Sequence, residues 1–166
     1  MQRSRPRKLA PLLTHLDDAG SVHMVDVGSK ASTHRVATAE AKVWCAKHTL
    51  VAVRDGKAAK GDVLATVRIA AIQASKKTSD LVPLCHPLAL TKVSVDVALK
   101  KDHARIRVTC ETVGPTGVEM EALTAAAVGA LTFYDMVKAI DRSATFDVML
   151  LSKDGGKSGT FRRTKS

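Results

Sequence analysis

The chain has 166 residues, 45% of them hydrophobic and only 3% aromatic, and a formal net charge of +10. Its length and apolar content suit one domain around an aliphatic, Ala- and Val-rich core. The charge suggests an anionic partner, yet +4 of it lies in residues 1–8 and +4 in residues 153–166, leaving a body of only +2.

Residues 1–11 carry Arg3, Arg5, Arg7 and Lys8 without an acid, the composition of a disordered basic tail or of a transit peptide. The stretch LAPLLTHL that follows is short and broken by Pro11 and His15, unlike a secretory signal. No apolar run approaches the roughly 20 residues that span a bilayer. Cys45, Cys85 and Cys110 are odd in number and form no CxxC pair, which favours reduced thiols in a cytosolic chain.

From Val36 to Cys45, Ala37, Ala39, Ala41 and Val43 alternate with Thr38, Glu40, Lys42 and Trp44, the period of a half-buried strand. A short helical segment runs to Gly56. Asp62 then caps a helix in which Val63, Val67, Ala70, Ala71 and Ala74 share one face, with Lys76 and Lys77 in its last turn. After a loop at 78–90, Val93, Val95, Val97 and Leu99 alternate, as do Ile106, Val108 and Cys110, and the two runs predict a β-hairpin turning at Lys101, Asp102 and His103. Gly114, Pro115 and Gly117 end that hairpin, and 116–138 predicts a long helix of small residues with its charges at the ends. A last strand is predicted over about Phe146 to Leu151. Antiparallel strands with two longer helices to cover one face make an α+β fold. An Ala- or Val-rich outer face on such a sheet would favour self-association.

Four segments place ionisable groups where apolar elements end. The long helix has Glu119 and Glu121 in its first turn and Asp135 and Lys138 in its last. Glu121 and Asp135 lie on one face but about 21 Å apart, so one small-molecule site reaches both only if a neighbouring chain or a loop bridges them. Asp135 beside Lys138 reads either as an acid–base pair or as a surface ion pair of little energetic weight. In KKTSDLVPLCHPL (76–88), Pro83 and Pro87 stiffen a turn that displays Leu84, Cys85 and His86, as a binding site or as a packed connector whose histidine bonds the backbone. Adjacent Cys85 and His86 lack zinc-ligand spacing, so no metal site is expected. KDGGKSG (153–159) brings flexible backbone amides beside Lys157, to cradle an anion or as a solvated, frayed end. Lys60 precedes the Asp62 cap, where a cation adds to the positive end of the dipole.

MVDV (24–27), KGDVLAT (60–66), KKTSDLVPLCHPL, TGVEMEALTAA (116–126), TFYDMVKAID (132–141) and GGKSG (155–159), read together, resemble the cyclic pyranopterin monophosphate synthase family of molybdenum cofactor biosynthesis. The resemblance runs from about Leu12 to Phe161, a single domain between basic tails at 1–11 and 162–166. Departures are few: Gly28 and Ala127 stand where serine is common, and Val137 where cysteine is frequent. The resemblance implies a ferredoxin-like antiparallel sheet covered by two longer helices, assembled as a trimer of dimers with active sites at the dimer interface. It also implies a cytoplasmic lyase converting a cyclised dihydro-GTP to cyclic pyranopterin monophosphate with release of pyrophosphate. Asp135, Lys138, Lys60 and Lys157 then match catalytic positions, while Leu84, Cys85, His86, Glu119, Met120, Glu121 and Arg35 match substrate-binding ones. No cofactor is implied beyond Mg2+ that accompanies the triphosphate, and neither nucleic acid nor membrane is an expected partner.

That chemistry suits these residue types: proton transfers at nitrogen and carbon need acids and bases tuned towards neutrality, expected of Asp135, Lys138 and Glu121. Lysines would neutralise a triphosphate. A nucleic-acid-binding module is the competing class and accounts for a pI near 9.8, but residues 91–113 hold no aromatic on which a base could stack. An inactive structural homologue is the third, against which the intact Asp135, Lys138 and His86 argue.

Overall fold

The computed structural model describes residues 21–164, so the expected basic tail at 1–11 and the domain start at Leu12 lie outside the described residues. Strand β1 (Thr33–Trp44) buries the alternating Ala37, Ala39, Ala41 and Val43 at 1% exposure or less. Helix α1 (Lys47–Arg54) follows and stops just before Gly56, which has φ +67°. Helix α2 (Val63–Ser75) begins at the predicted cap, where Asp62 Oδ1 accepts the Ala65 amide at 2.9 Å. It ends one residue before Lys76, which therefore caps the helix and does not extend it.

The segment expected as a loop contains one helical turn, α3 (Thr78–Leu81), because the Thr78 hydroxyl donates back to the carbonyl of Ser75 and fastens it to the end of α2. The hairpin is β2 (Leu90–Leu99) with β3 (His103–Gly114). Helix α4 (Glu119–Val137) spans 19 residues, about 28 Å. Strand β4 (Thr145–Asp154) outruns its predicted end by three residues.

The segment after it, whose composition alone suggests a frayed end, returns as the two-residue strand β5 (Phe161–Arg162). Arg162 chelates the Asp154 carboxylate at 2.9 and 2.7 Å, and the Arg163 amide donates to the Leu151 carbonyl at 2.8 Å. The expected boundary between domain and tail at 161/162 therefore falls inside a paired strand.

All strands are antiparallel, in the order β2-β3-β1-β4-β5. Disregarding the terminal β5 and the short helices α1 and α3, the chain runs β-α-β-β-α-β with β1 between β3 and β4, the ferredoxin-like arrangement expected. Helices α2 and α4 pack on each other and on one face of this sheet. Small side chains let them approach closely: Ala122, Ala125, Ala126 and Ala130 of α4 are fully buried. A methyl placed at Gly129 would lie 3.2 Å from Ile106 of β3 and 3.5 Å from Ala71 of α2.

The other face is charged and not apolar, which removes the proposed sequence-based reason for self-association through it. Arg107 donates from Nε and Nη2 to Glu40 at 3.0 and 2.7 Å, Arg105 pairs with Asp96, and Thr38 bonds Thr109. Glu40 is consequently 5% exposed yet paired.

Candidate active site

Helix α4 organises the chemistry because each of its ends carries a different set of ionisable groups. Its N-cap is Val118, which supplies no side-chain cap, and Glu119 and Glu121 fall in the first turn, where negative charge suits the helix dipole. Two cavities, of about 630 and 410 Å³, open at this end and share Lys30, Thr116 and Gly117 in their walls.

The larger cavity is cationic. Lys30, Arg35, Lys153 and Lys157 line it, against Glu119 and against an Asp154 already neutralised by Arg162. Arg35 projects from β1 and donates through Nη2 to the Pro115 carbonyl at 3.2 Å, which ties the strand to the turn before α4. Lys153, its side chain 15% exposed, lies 3.6 Å from Glu119 Oε1 and hydrogen-bonds Ser158, so it joins the glycine-rich loop to the first turn of α4. Lys157 is exposed, without an ion-pair partner among the described residues.

The smaller cavity gathers Leu84, Cys85, His86, Met120 and Glu121, all five named from the sequence. His86 is half-buried, and no side chain or backbone among the described residues hydrogen-bonds it, so it is not the backbone-bonded connector that the proline-stiffened turn allowed. Glu121 is 4% exposed, and burial pushes its carboxyl above the ordinary value of 4.5, against a smaller opposing effect from its own backbone amide. Burial first, then the Glu121 charge, raises the thiols of Cys85 and Cys110, the latter to about 12. Cys85 therefore meets a ligand as a neutral thiol, not a nucleophilic thiolate.

Glu121 binds its proton more tightly folded than unfolded, so this carboxyl favours folding below pH 4.5 and loses that contribution as pH rises through its higher native value. Glu121→Gln is accordingly expected to raise the denaturation midpoint at mildly alkaline pH, with the gain vanishing below pH 4.5. Urea titrations at the two pH values check this, and a lower midpoint for the variant at alkaline pH would contradict it.

At the opposite end of α4 lies a third group. Lys60, in the turn before α2, donates to Asp135 Oδ2 at 2.5 Å, and Lys138 lies 2.7 Å from Oδ1. The hydrogen bonds from Lys138 and then Lys60 hold the Asp135 carboxyl down to about 2, away from neutrality and against the tuning expected from the sequence. At neutral pH Asp135 is thus a fixed anion between two ammonium groups, one face of it open since its side chain is 49% exposed.

The structure thus divides the residues named from the sequence into three sets: Arg35, Glu119 and Lys157; the five residues around His86; and Lys60 with Asp135 and Lys138. The first two sets adjoin. The third is separated from Glu121 by the helix, about 21 Å along its axis. Sequence reasoning missed Lys30 and Lys153. The second is legible as a lysine that continues a strand with one residue between it and two glycines, although its charge groups it with the basic end. Among the described residues, no three His, Cys, Asp or Glu side chains are grouped to hold a metal ion, and no helix is long and apolar enough to cross a membrane.

The family model described as the MoaC family matches residues 24–156. A cyclic pyranopterin monophosphate synthase from Thermomicrobium roseum is 57% identical over 154 residues, covering 91% of this chain and 93% of that protein.

Proposed function

Because the chain belongs to the MoaC family, we infer that it catalyses the cyclic pyranopterin monophosphate synthase reaction of molybdenum cofactor biosynthesis, converting a cyclised dihydro-GTP to cyclic pyranopterin monophosphate and pyrophosphate. The observation that carries this reading is the junction of a cationic cavity with one lined by His86 and Glu121, since a substrate made of a nucleobase-derived ring system and a triphosphate needs both.

In this reading the ring system occupies the smaller cavity, where His86 and Glu121 bond its nitrogens and Leu84, Cys85 and Met120 supply apolar walls. The triphosphate enters the larger one, where Arg35 offers a planar fork and Lys30, Lys153 and Lys157 offer point charges. A sugar hydroxyl attacks the α-phosphorus, its proton passes to a base, and the bond to the pyrophosphate oxygen breaks. Cations already in place stabilise the charge that develops on the leaving group. Lys30, common to both cavities, stands where ring system and phosphates meet. We assign Mg2+ to the substrate triphosphate and not to a protein-held site.

Asp135, Lys60 and Lys138 complete the site from a second copy of the chain. The helix length supports this, because one substrate molecule cannot touch both ends of α4. Asp135, anionic between its lysines, then serves as the fixed charge that keeps both ammonium groups oriented toward the substrate. We propose a homo-hexamer built as a trimer of dimers, acting in the cytoplasm, whose domain starts near residue 12 after a basic tail.

Incubation with the cyclised nucleotide, followed by mass spectrometry for the pterin and an assay for pyrophosphate, tests the reaction. Formation of both in equal amounts is expected. Unchanged nucleotide, together with tight RNA or DNA binding that weakens steeply with salt, would establish the nucleic-acid module instead.

A further inference from the structure

The two glycines before Lys157 do different work from the one after Ser158. Gly155, Gly156 and Gly159 all hold positive φ, at 90°, 77° and 67°. Around Gly159 nothing lies within 4 Å of where a Cβ would stand. At Gly156 the same atom would overlap Arg35 Nη1 and come within 2.6 Å of Cζ and 3.1 Å of Nη2. The loop therefore passes directly over the guanidinium group, so a side chain at 156 would require the Arg35 fork to move.

Two other nitrogens of Arg35 are tied down or covered. Nη2 donates to the Pro115 carbonyl at 3.2 Å, and Nε is buried with no hydrogen-bond partner. That unpaired donor costs its desolvation, which the surrounding contacts must offset. The loop is pinned again two residues further on, where Lys153 bonds Ser158, so Lys157 stands between two fixed points, Gly156 on Arg35 and Ser158 on Lys153.

We propose that Gly156 is a positioning residue for the reaction: by closing over the Arg35 guanidinium it fixes that fork and Lys157 together in the wall of the cationic cavity. This rests on the reading of that cavity as the triphosphate site. The loop needs glycine at 156 for two separable reasons, backbone conformation and the approach to Arg35, whereas Gly159 needs it only for the first.

Inorganic tripolyphosphate, titrated into the full-length protein by calorimetry, is the probe. Gly156→Ala is expected to weaken binding by about tenfold or more, and Gly159→Ala by no more than about threefold, the effect of positive φ alone. In an Arg35→Lys background, where a slender ammonium stem leaves room for the methyl, Gly156→Ala is expected to add no more than Gly159→Ala adds there. That coupling is one a general folding defect would not produce.

Wild-type protein that binds tripolyphosphate, with Gly156→Ala indistinguishable from Gly159→Ala or with the same loss in both Arg35 backgrounds, would overturn the positioning role alone. Wild-type protein that does not bind tripolyphosphate would overturn the triphosphate reading and this role with it. Should Gly156→Ala by itself fail to fold, the combined Arg35→Lys, Gly156→Ala protein decides the matter: it is expected to fold and to bind like Arg35→Lys, and its failure to do so counts against the proposal.

Discussion

Asp135→Ala is expected to lower product formation by up to about a thousandfold, the scale of losing a preorganised charge that orders the groups around it. The protein should keep its fold and its assembly. Asp135 is half-exposed at the helix end, and its partners Lys60 and Lys138 are themselves 44% and 49% exposed, so solvent screens the pairs and little of the fold depends on them. What is lost is arrangement: with the carboxylate gone, two ammonium groups drawn to one anion are left facing each other and separate. Lys60→Ala should lose activity comparably, again without a large change in melting temperature. Circular dichroism and size-exclusion chromatography report the fold and the assembly, and single-turnover assays with the cyclised nucleotide report the chemistry. Near-normal turnover by both variants would remove the Lys60–Asp135–Lys138 group from the mechanism.

Two inactive proteins should restore each other. His86→Ala disables the end of α4 that carries the cavities, and Asp135→Ala disables the other. If a site takes one end from each of two chains, random pairing makes half the dimers mixed. Each mixed dimer then has one intact site and one doubly damaged site, so activity recovers to about one quarter of wild type per site. A site contained in one chain recovers nothing. Co-expression with two affinity tags and purification through both removes the assemblies built from one variant alone, which are rare among hexamers of three dimers, so the expected recovery stays near one quarter. Two variants damaged at the same end, such as His86→Ala with Glu121→Gln, supply the comparison and should not recover. Activity in mixed assemblies no greater than in the separate variants would place the whole site in one chain, against the 19-residue length of α4.

Much of the fold was legible because its pattern is local. Ala37, Ala39, Ala41 and Val43 alternate on β1 and are all buried, and Asp62 caps α2 as its position before the apolar stripe foretold. What escaped has no local period. The register of β1 against β4 shifts between Thr38 and Ala39, so that Leu151 is the extra residue. β5 is two residues long and exists through Arg162 on Asp154 and Arg163 on Leu150 and Leu151. A polar run with three glycines reads by itself as a frayed end, yet its first residues extend β4 and carry Lys153 to Glu119.

The sequence by itself determined the longer elements, the alanine-lined core that lets α4 lie close to the sheet, and the identity of the side chains that carry charge at the helix ends. Those follow from spacing within a few residues, where a periodicity of 2 or 3.6 has direct physical meaning. Only the tertiary structure decided the company these side chains keep. It set Lys60 on Asp135 across 75 residues, buried Glu121 where its charge acts on the thiols of Cys85 and Cys110, and folded a glycine over Arg35. It also settled the direction in which proton affinities move: Asp135 and Glu121 are both carboxylic acids on one helix, and one is held down by two ammonium groups while the other is raised by loss of water. Such effects depend on distances through space between residues far apart in the chain, which no local pattern of residue types encodes.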